Sequence, residues 1–235
     1  SVEPFDAILD EIQKHIDSEE ILENHLIKLQ ELASINNRDK IVKKEGIEKI
    51  GNAMKHYSTW PKAQQHGIGA LGSLARNNDE NKKEFAEKGG ILAIVRAMQY
   101  QSEEAYVQEE GCKELWNLAM NDTNKVTIAS EKGIDMIVSA MEKHYLNLDV
   151  QLSGCAALNS LAVNDNNKLM IAGARGINMI VSAMQGHSLN LDVQLSGCAA
   201  LNNLAVNVDN KKKIGEGEGI DMIVSAMKHH LTIVD

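Results

Sequence analysis

The sequence predicts an all-α solenoid, in which short helical units stack on one another in chain order. The principal observation is an internal repeat: residues 149–159 recur unchanged as residues 192–202, 43 positions later. The longer segments 133–164 and 176–207 agree at 27 of 32 positions. A period of this length is typical of stacked helical repeats, and each unit in such a stack buries its apolar face only against its neighbours.

The composition agrees with a helical stack. Hydrophobic residues make up 43% of the chain but aromatic residues only 3%, and there are 2 prolines in 235 residues. The core is therefore expected to consist of aliphatic, alanine and methionine side chains on helices that proline does not interrupt. No apolar run reaches the roughly 18 residues of a membrane span, and residues 1–6 lack the basic start and apolar stretch of a secretory signal.

Charge and cysteine usage limit the partners and the compartment. The net charge is −9, which disfavours a nucleic acid and favours a basic or polar partner. Cys112, Cys155 and Cys198 stand at one equivalent position in successive units. Their spacing indicates a repeated small core residue rather than a disulfide framework, so we expect a reducing compartment, the cytoplasm or the nucleus.

Residues 122–144 predict the first two helices of a unit. Asn121 and Asp122 are suited to cap a short helix that runs to about Lys132, and Gly133 is expected to end that helix at a positive φ. A second helix then runs to His144, with Ile134, Ile137, Val138 and Met141 at the i, i+3, i+4, i+7 spacing of a one-faced helix.

A longer third helix completes the unit. Either Asn147 or Asp149 is expected to cap it, and it runs from about Asp149 to Val163. Its apolar or small residues form one stripe. They are Val150, Gly154, Cys155, Leu158 and Leu161.

The whole chain is expected to form one domain with incomplete units at its ends. The boundaries are a half-unit at 1–36, units at 37–78, 79–121, 122–164 and 165–207, and a partial unit at 208–235. The amino-terminal half-unit is charged enough to cap the stack. At the other end, Ile220, Ile223, Val224 and Met227 are expected to lack a covering third helix. We infer either a domain cut from a longer protein or a solenoid that continues into a partner.

The sequence predicts no catalytic, cofactor or metal site. Four histidines share the carboxy end of the second helices, where a cation complements the helix dipole; they are His15, His144, His187 and His230. Successive units hold them too far apart to share a metal ion. The cysteines lie on the buried stripe, where thiols are poor nucleophiles, and no catalytic triad, His-Glu-x-x-His or Cys-x-x-Cys pattern occurs. We therefore expect that this chain is not an enzyme.

Two features of the units resemble the armadillo repeat. The first is a Gly-Ile pair that opens each second helix, at Gly46, Gly90, Gly133, Gly176 and Gly219. The second is a third-helix signature, Gly-Cys-x-x-Leu-x-x-Leu-Ala, at 111–119, 154–162 and 197–205, and more loosely at 67–75. The resemblance implies a right-handed α-solenoid with three helices in each unit of about 43 residues.

The resemblance also implies a binding surface. Armadillo third helices line a concave groove that holds extended peptides or partner proteins, and an asparagine near the end of the helix bonds the peptide backbone. Asn117 and Asn203 match that asparagine, whereas Ser73 and Ser160 stand at the position in two other units. Residues on the same helix face complete the candidate groove, namely Lys62, His66, Tyr106, Glu110, Lys113, Asp149, Ser153, Asp192 and Ser196.

Trp116 is expected at the edge of this groove, either as an anchor for a partner or packed on a neighbouring unit. The groove is expected to be shallow, polar and mildly acidic. The resulting hypothesis is a non-enzymatic scaffold that binds a protein or an extended peptide, with no nucleic acid and no membrane insertion.

The alternative is a structural or assembly segment of a larger multidomain signalling protein, which associates with itself through its open carboxy end. The methionine-rich ends of the second helices are similar to armadillo segments of large multidomain signalling kinases. The sequence does not name the partner, and the near-identity of two units is compatible with either a natural or a designed array.

Overall fold

The computed structural model describes residues 3–14, 16–33, 37–76 and 79–230, without the side chains of 79–81 and 230. Every regular element within these ranges is a helix. Two helices open the chain, α1 (Pro4–Glu11) and α2 (Glu19–Leu32).

Four sets of three helices follow, each with a short, a medium and a long member. The first two sets are α3 (Arg38–Lys43), α4 (Gly46–His56) and α5 (Pro61–Ala75), then α6 (Asp79–Glu87), α7 (Gly90–Tyr100) and α8 (Ala105–Leu118). The next two are α9 (Asp122–Ser130), α10 (Gly133–Lys143) and α11 (Leu148–Leu161), then α12 (Asp165–Gly173), α13 (Gly176–Gly186) and α14 (Leu191–Leu204). The helices α15 (Val208–Glu216) and α16 (Gly219–His230) end the described part of the chain.

The third helices form the spine of the stack. Each packs against the next in the order α2, α5, α8, α11 and α14. Each also packs against the second helix of its own set, as α11 does on α10 and α14 on α13. One continuous core runs through the units, and most of its buried side chains are aliphatic, alanine or methionine. Phe5 and Phe85 are also fully buried in it.

The turn between the first and second helices differs from the sequence prediction. Lys132, rather than Gly133, takes the left-handed conformation, with φ of 64°. Gly133 is the first residue of α10 and is buried there. A Cβ atom on Gly133 would lie 2.5 Å from Cγ2 of Ile128 on α9. Glycine is required at this position because two helices approach closely, and the prediction of a positive φ there was wrong.

Asparagines cap the first and third helices from α9 onward, as the sequence predicts for residues 122–164. The Asn121 side chain accepts a hydrogen bond from the backbone N–H of Asn124 at the start of α9. Of the two candidates for the cap of α11, Asn147 is the one that bonds, to the N–H of Val150 at 3.0 Å. Such caps satisfy amide groups that have no partner within the helix.

A buried glutamine joins each second helix to the third helix that follows it. The Gln151 Nε2 group donates to the carbonyls of Met141 and His144, at 2.8 and 3.2 Å. The same pair of bonds recurs at Gln64, Gln108 and Gln194. These bonds satisfy carbonyls that the end of a helix leaves without internal partners.

The histidines at the ends of the second helices make contacts that the sequence did not predict. His144 and His187 are bonded through Nε2 to carbonyls of the preceding unit, those of Ser102 at 2.9 Å and Tyr145 at 3.2 Å. They therefore link neighbouring units, whereas glutamines satisfy the helix carbonyls. His15 and the side chain of His230 lie outside the described residues.

Each third helix approaches its second helix through a glycine placed on a methionine. A Cβ atom on Gly154 would lie 2.5 Å from Cγ and 2.6 Å from Sδ of Met141. The same contact occurs between Gly111 and Met98 and between Gly197 and Met184. A glycine within a helix costs about 1 kcal/mol relative to alanine, and here that cost permits close packing.

We expect Gly154→Ala and Gly173→Ala to change stability in opposite directions. The overpacking of Met141 costs about 1–3 kcal/mol and outweighs the gain in helix propensity, so Gly154→Ala lowers the free energy of unfolding by about 1 kcal/mol. Gly173 has no atom within 4 Å of an added Cβ, so Gly173→Ala raises it by about 0.5–1 kcal/mol. Guanidinium denaturation followed by circular dichroism measures both; equal shifts would contradict the close-packing argument.

Candidate partner-binding groove

Each third helix packs against the next, and the exposed faces of these helices are here called the third-helix surface. Most of the candidate groove residues lie at least partly exposed on it: Lys62, His66, Tyr106, Glu110, Lys113, Trp116, Asn117, Asp149, Asp192, Ser196 and Asn203. Ser73, Ser153 and Ser160 are instead buried, with exposed fractions of 3%, 9% and 9%. These side chains are short and buried, so their hydroxyls contribute little to the surface.

Polar contacts connect α2, α5 and α8 at one end of this surface. Glu19 on α2 accepts a hydrogen bond from the backbone N–H of Lys62 on α5 at 2.9 Å. Glu23 Oε1 lies 3.1 Å from His66 Nε2. Lys62 Nζ in turn lies 4.4 Å from the centre of the Tyr106 ring on α8, a distance at which a cation is attracted to an aromatic face.

Tyr106 is therefore part of a network of polar and cation–π contacts and is not an isolated aromatic group. Burial raises the pKa of its hydroxyl, and the carboxylates of Glu104, Glu19 and Glu23 raise it further. The sequence predicted that Tyr106 faces the groove. Its partners were not predicted, because their positions depend on how far each third helix is offset from the next.

A buried carboxylate lies beneath the asparagine that matches the armadillo signature. Glu114 is 1% exposed, and its Oε1 accepts a hydrogen bond from Arg76 Nη2 at 2.7 Å. Its Oε2 accepts one from Asn117 Nδ2 at 3.2 Å. The amide of Asn117 is therefore held in a fixed orientation. Its Oδ1 and its second N–H can still form hydrogen bonds with a partner.

Glu114 was not predicted from the sequence, because its place depends on Gly72 of the preceding third helix. A Cβ atom on Gly72 would lie 2.2 Å from Cδ of Glu114, so the side chain fits only because residue 72 is glycine. A cavity of about 240 Å³ opens beside this pair. Its polar lining includes Arg76, Glu114 and Asn117.

Acidic side chains gather where α8 meets α11. Burial raises the pKa of Glu109, and the nearby carboxylates of Asp149 and Glu110 raise it further, whereas Lys113 lowers it. Lys113 Nζ lies 3.1 Å from Glu110 Oε2. One lysine thus faces three carboxylates, and this part of the surface carries net negative charge.

Trp116 is neither fully buried nor fully exposed. Its side chain packs against the buried core yet stays partly exposed. At the far end of the surface, Asn203 donates from Nδ2 to Oδ1 of Asn159 at 2.9 Å. The two signature asparagines are therefore each held by a neighbouring side chain.

Two further properties concern the part of the chain that the structure describes. No group of three histidine, cysteine, aspartate or glutamate side chains in these ranges is arranged to hold a metal ion. None of the helices there is long and apolar enough to cross a membrane.

The three cysteines are free, and they differ in exposure. Burial raises the pKa of Cys112 and of Cys155 to about 12. Cys198 has the same sequence around it as Cys155 but is partly exposed, and burial raises its pKa as well.

We expect a maleimide at neutral pH to modify Cys198 and to leave Cys112 and Cys155 unmodified in the folded chain. Reaction requires an accessible thiolate, and only Cys198 offers solvent access. Mass spectrometry of the intact chain should show one adduct, which Cys198→Ser removes. In denaturant the same reagent should add to all three thiols; rapid modification of Cys112 or Cys155 without denaturant would contradict the burial.

The stacked three-helix units, the glycine junctions and the asparagines on the third helices define an armadillo repeat protein. A family model described as the LRRK2 ARM repeat matches residues 39–221. The chain belongs to this family. A search of curated proteins finds no significant match.

Solved structures support the same fold. An engineered protein from a structural genomics programme superposes with a TM-score of 0.82 at 23% identity, over 100% of this chain and 91% of the other. A designed armadillo repeat protein in complex with the peptide (KR)4 gives 0.81 at 16% identity, over 97% and 93%. Computationally designed armadillo proteins for modular peptide recognition give 0.78 at 15% identity, over 97% and 99%.

Proposed function

We propose that this protein is a non-enzymatic scaffold whose third-helix surface binds an extended stretch of a partner protein. The observation that carries the proposal is Asn117. Its amide is oriented by the buried carboxylate of Glu114 at 3.2 Å and stays partly exposed. A fixed amide of this kind bonds a peptide backbone without a large entropic cost.

Trp116 lies next to Asn117 and supplies the apolar part of the proposed site. Because the ring packs against the core and is partly exposed, it is already ordered before a partner binds. Ordered aromatic side chains are frequent anchors in protein interfaces. Asn203 offers a second, more distant amide for the same partner.

The proposed partner segment is basic. Glu109, Glu110 and Asp149 lie together, and Lys113 offsets them in part. Asp192 is exposed further along the surface, and the chain carries a net charge of −9. One designed armadillo repeat protein that superposes on this chain is described in complex with the peptide (KR)4. Lysine and arginine side chains would complement the acidic cluster here.

We propose no catalytic role for the chain, and we propose that it lies in the cytoplasm or the nucleus. Cys112 and Cys155, as candidate nucleophiles, are buried with pKa values of about 12. All three thiols are free, which fits a reducing compartment.

We expect the double variant Trp116→Ala, Asn117→Ala to bind the (KR)4 peptide at least about tenfold more weakly than the original chain, since it removes an ordered anchor and an oriented amide. Isothermal titration calorimetry measures the affinity. The matched control is Tyr100→Ala with Asn178→Ala, which removes an exposed aromatic and an exposed amide from second helices. Equal loss in both variants would contradict a site on the third-helix surface.

Charge should determine which peptides bind. We expect Glu109→Gln with Asp149→Asn to weaken (KR)4 binding by about threefold to tenfold at low salt, with a smaller difference at high salt because screening is then stronger. Fluorescence anisotropy with a labelled peptide is suitable for the salt series. An acidic peptide, (DE)4, serves as the opposite-charge control, and its binding with equal affinity would rule out recognition of a basic segment.

A further inference from the structure

Exposed leucines lie where the chain enters α11 and α14. Leu146 and Leu189, in the loops that precede these helices, are 75% and 82% exposed. Two residues later, Leu148 and Leu191 open the helices themselves, and each is 37% exposed. These four side chains are here called the leucine edge.

The two loops that carry the leucine edge are neighbours with an ordered backbone. His187 Nε2 lies 3.2 Å from the carbonyl oxygen of Tyr145, which places one loop beside the other. Within the loops, the N–H of Asn147 donates to the carbonyl of His144, and that of Asn190 to the carbonyl of His187, both at 2.9 Å. The leucine edge is therefore one patch built by two adjacent units.

Stacking of a further unit does not cover this position. Helices α12, α13 and α14 follow Leu146 and Leu148 in the stack. Leu146 nevertheless stays almost as exposed as Leu189, and Leu148 is as exposed as Leu191. The reason is that these residues lie at the amino-terminal ends of the third helices and not between one third helix and the next.

The fold does not require leucine at this position. The residue before the N-cap of the third helix is Leu146 or Leu189 in these two units, but Thr59 and Glu103 in the two units before them. All four of these residues are exposed. Single exposed apolar residues are common, whereas a contiguous group of them marks a surface that contacts a partner.

The leucine edge borders the acidic part of the third-helix surface. Asp149 and Asp192 directly follow Leu148 and Leu191 in the chain, and both are exposed. A partner that covers the leucines therefore meets carboxylates alongside them, and a partner with apolar and cationic side chains complements both.

A second copy of the chain complements this patch less well. In a two-fold contact the same patch meets itself. The aspartates of one copy would then lie close to those of the other, and such like-charge contacts are unfavourable.

An extended segment can satisfy the leucines and the aspartates together. Its successive side chains point to opposite sides. If the segment lies along the boundary between the two groups, every second side chain contacts the leucine edge, and the side chains between them face Asp149 and Asp192.

We propose that the leucine edge determines the specificity of the partner site, and that it selects an extended segment in which apolar residues alternate with lysine or arginine. The proposal rests on the binding of an extended basic segment to the third-helix surface, as proposed above. It adds that apolar contacts at the amino-terminal ends of α11 and α14, and not charge alone, decide which basic segments bind.

Three labelled peptides with the same number of lysines test the proposal, namely (KL)4, (KS)4 and KKKKLLLL. We expect (KL)4 to bind at least about tenfold more tightly than (KS)4 in fluorescence anisotropy, because only its side chains bury the leucine edge. It should also bind more tightly than KKKKLLLL, whose order cannot place apolar and basic side chains on the two groups in alternation.

A pair of matched chain variants locates the preference. Leu146→Ser with Leu189→Ser should bind (KL)4 and (KS)4 equally and should keep the affinity of the original chain for (KR)4. The control is Val163→Ser with Val206→Ser, which changes two residues that are 58% and 69% exposed just after the same two helices. This control should retain the preference for (KL)4, and circular dichroism should show both variants folded because all four residues are exposed.

The outcomes separate this proposal from the one on which it rests. Binding of (KR)4 together with equal binding of (KL)4 and (KS)4 would overturn the role of the leucine edge and leave the scaffold proposal intact. Failure of all four peptides to bind would contradict both. Equal loss of the preference in the two chain variants would also overturn the role of the leucine edge, since it would indicate general apolar adhesion.

Two other occupants are excluded by the same variants. A dimer in light scattering that Leu146→Ser with Leu189→Ser converts to a monomer would identify a second copy on the leucine edge. Binding of the original chain to phosphatidylcholine vesicles, lost in that variant, would identify a lipid surface. Either result would overturn the proposal.

Discussion

The close approach of each third helix to its second helix is the constraint on which the rest of the structure depends. It is possible only because glycine stands where Gly111, Gly154 and Gly197 lie on methionine side chains. The glutamines that join the ends of the same helices fix the angle between them through two hydrogen bonds each. Because both contacts recur, each third helix packs against the next, and the exposed faces of the third helices lie next to one another.

This packing of neighbouring third helices makes the candidate groove possible. Lys62 can reach the Tyr106 ring, and His66 can reach Glu23, only because neighbouring third helices keep the same register. The acidic cluster around Glu109 arises in the same way, from residues on α8 and α11. The surface is thus a property of the stack rather than of any single unit, as expected where each repeat packs only against its neighbours.

The sequence alone predicted the armadillo fold, the asparagine caps and the exposed positions of most groove residues, because those features follow from periodicity and local capping. It was wrong about Gly133, since the choice between a positive φ and a close helix contact depends on the neighbouring helix. It overstated Ser73, Ser153 and Ser160, whose burial depends on the side chains around them. It missed Glu114, because a buried carboxylate is stable there only beside Arg76 and opposite Gly72.

The near-identity of two adjacent units has a consequence for how the chain folds. Because residues 133–164 and 176–207 differ at few positions, the second helix of one unit fits the third helix of the other almost as well as its own. Contact energy therefore distinguishes poorly between the correct pairing and one shifted by a whole unit. The short loops 144–147 and 187–190 favour the correct pairing of helices. A local loop closes at lower entropic cost than one that spans an extra unit. Chain connectivity, rather than side-chain complementarity, keeps this part of the solenoid in register.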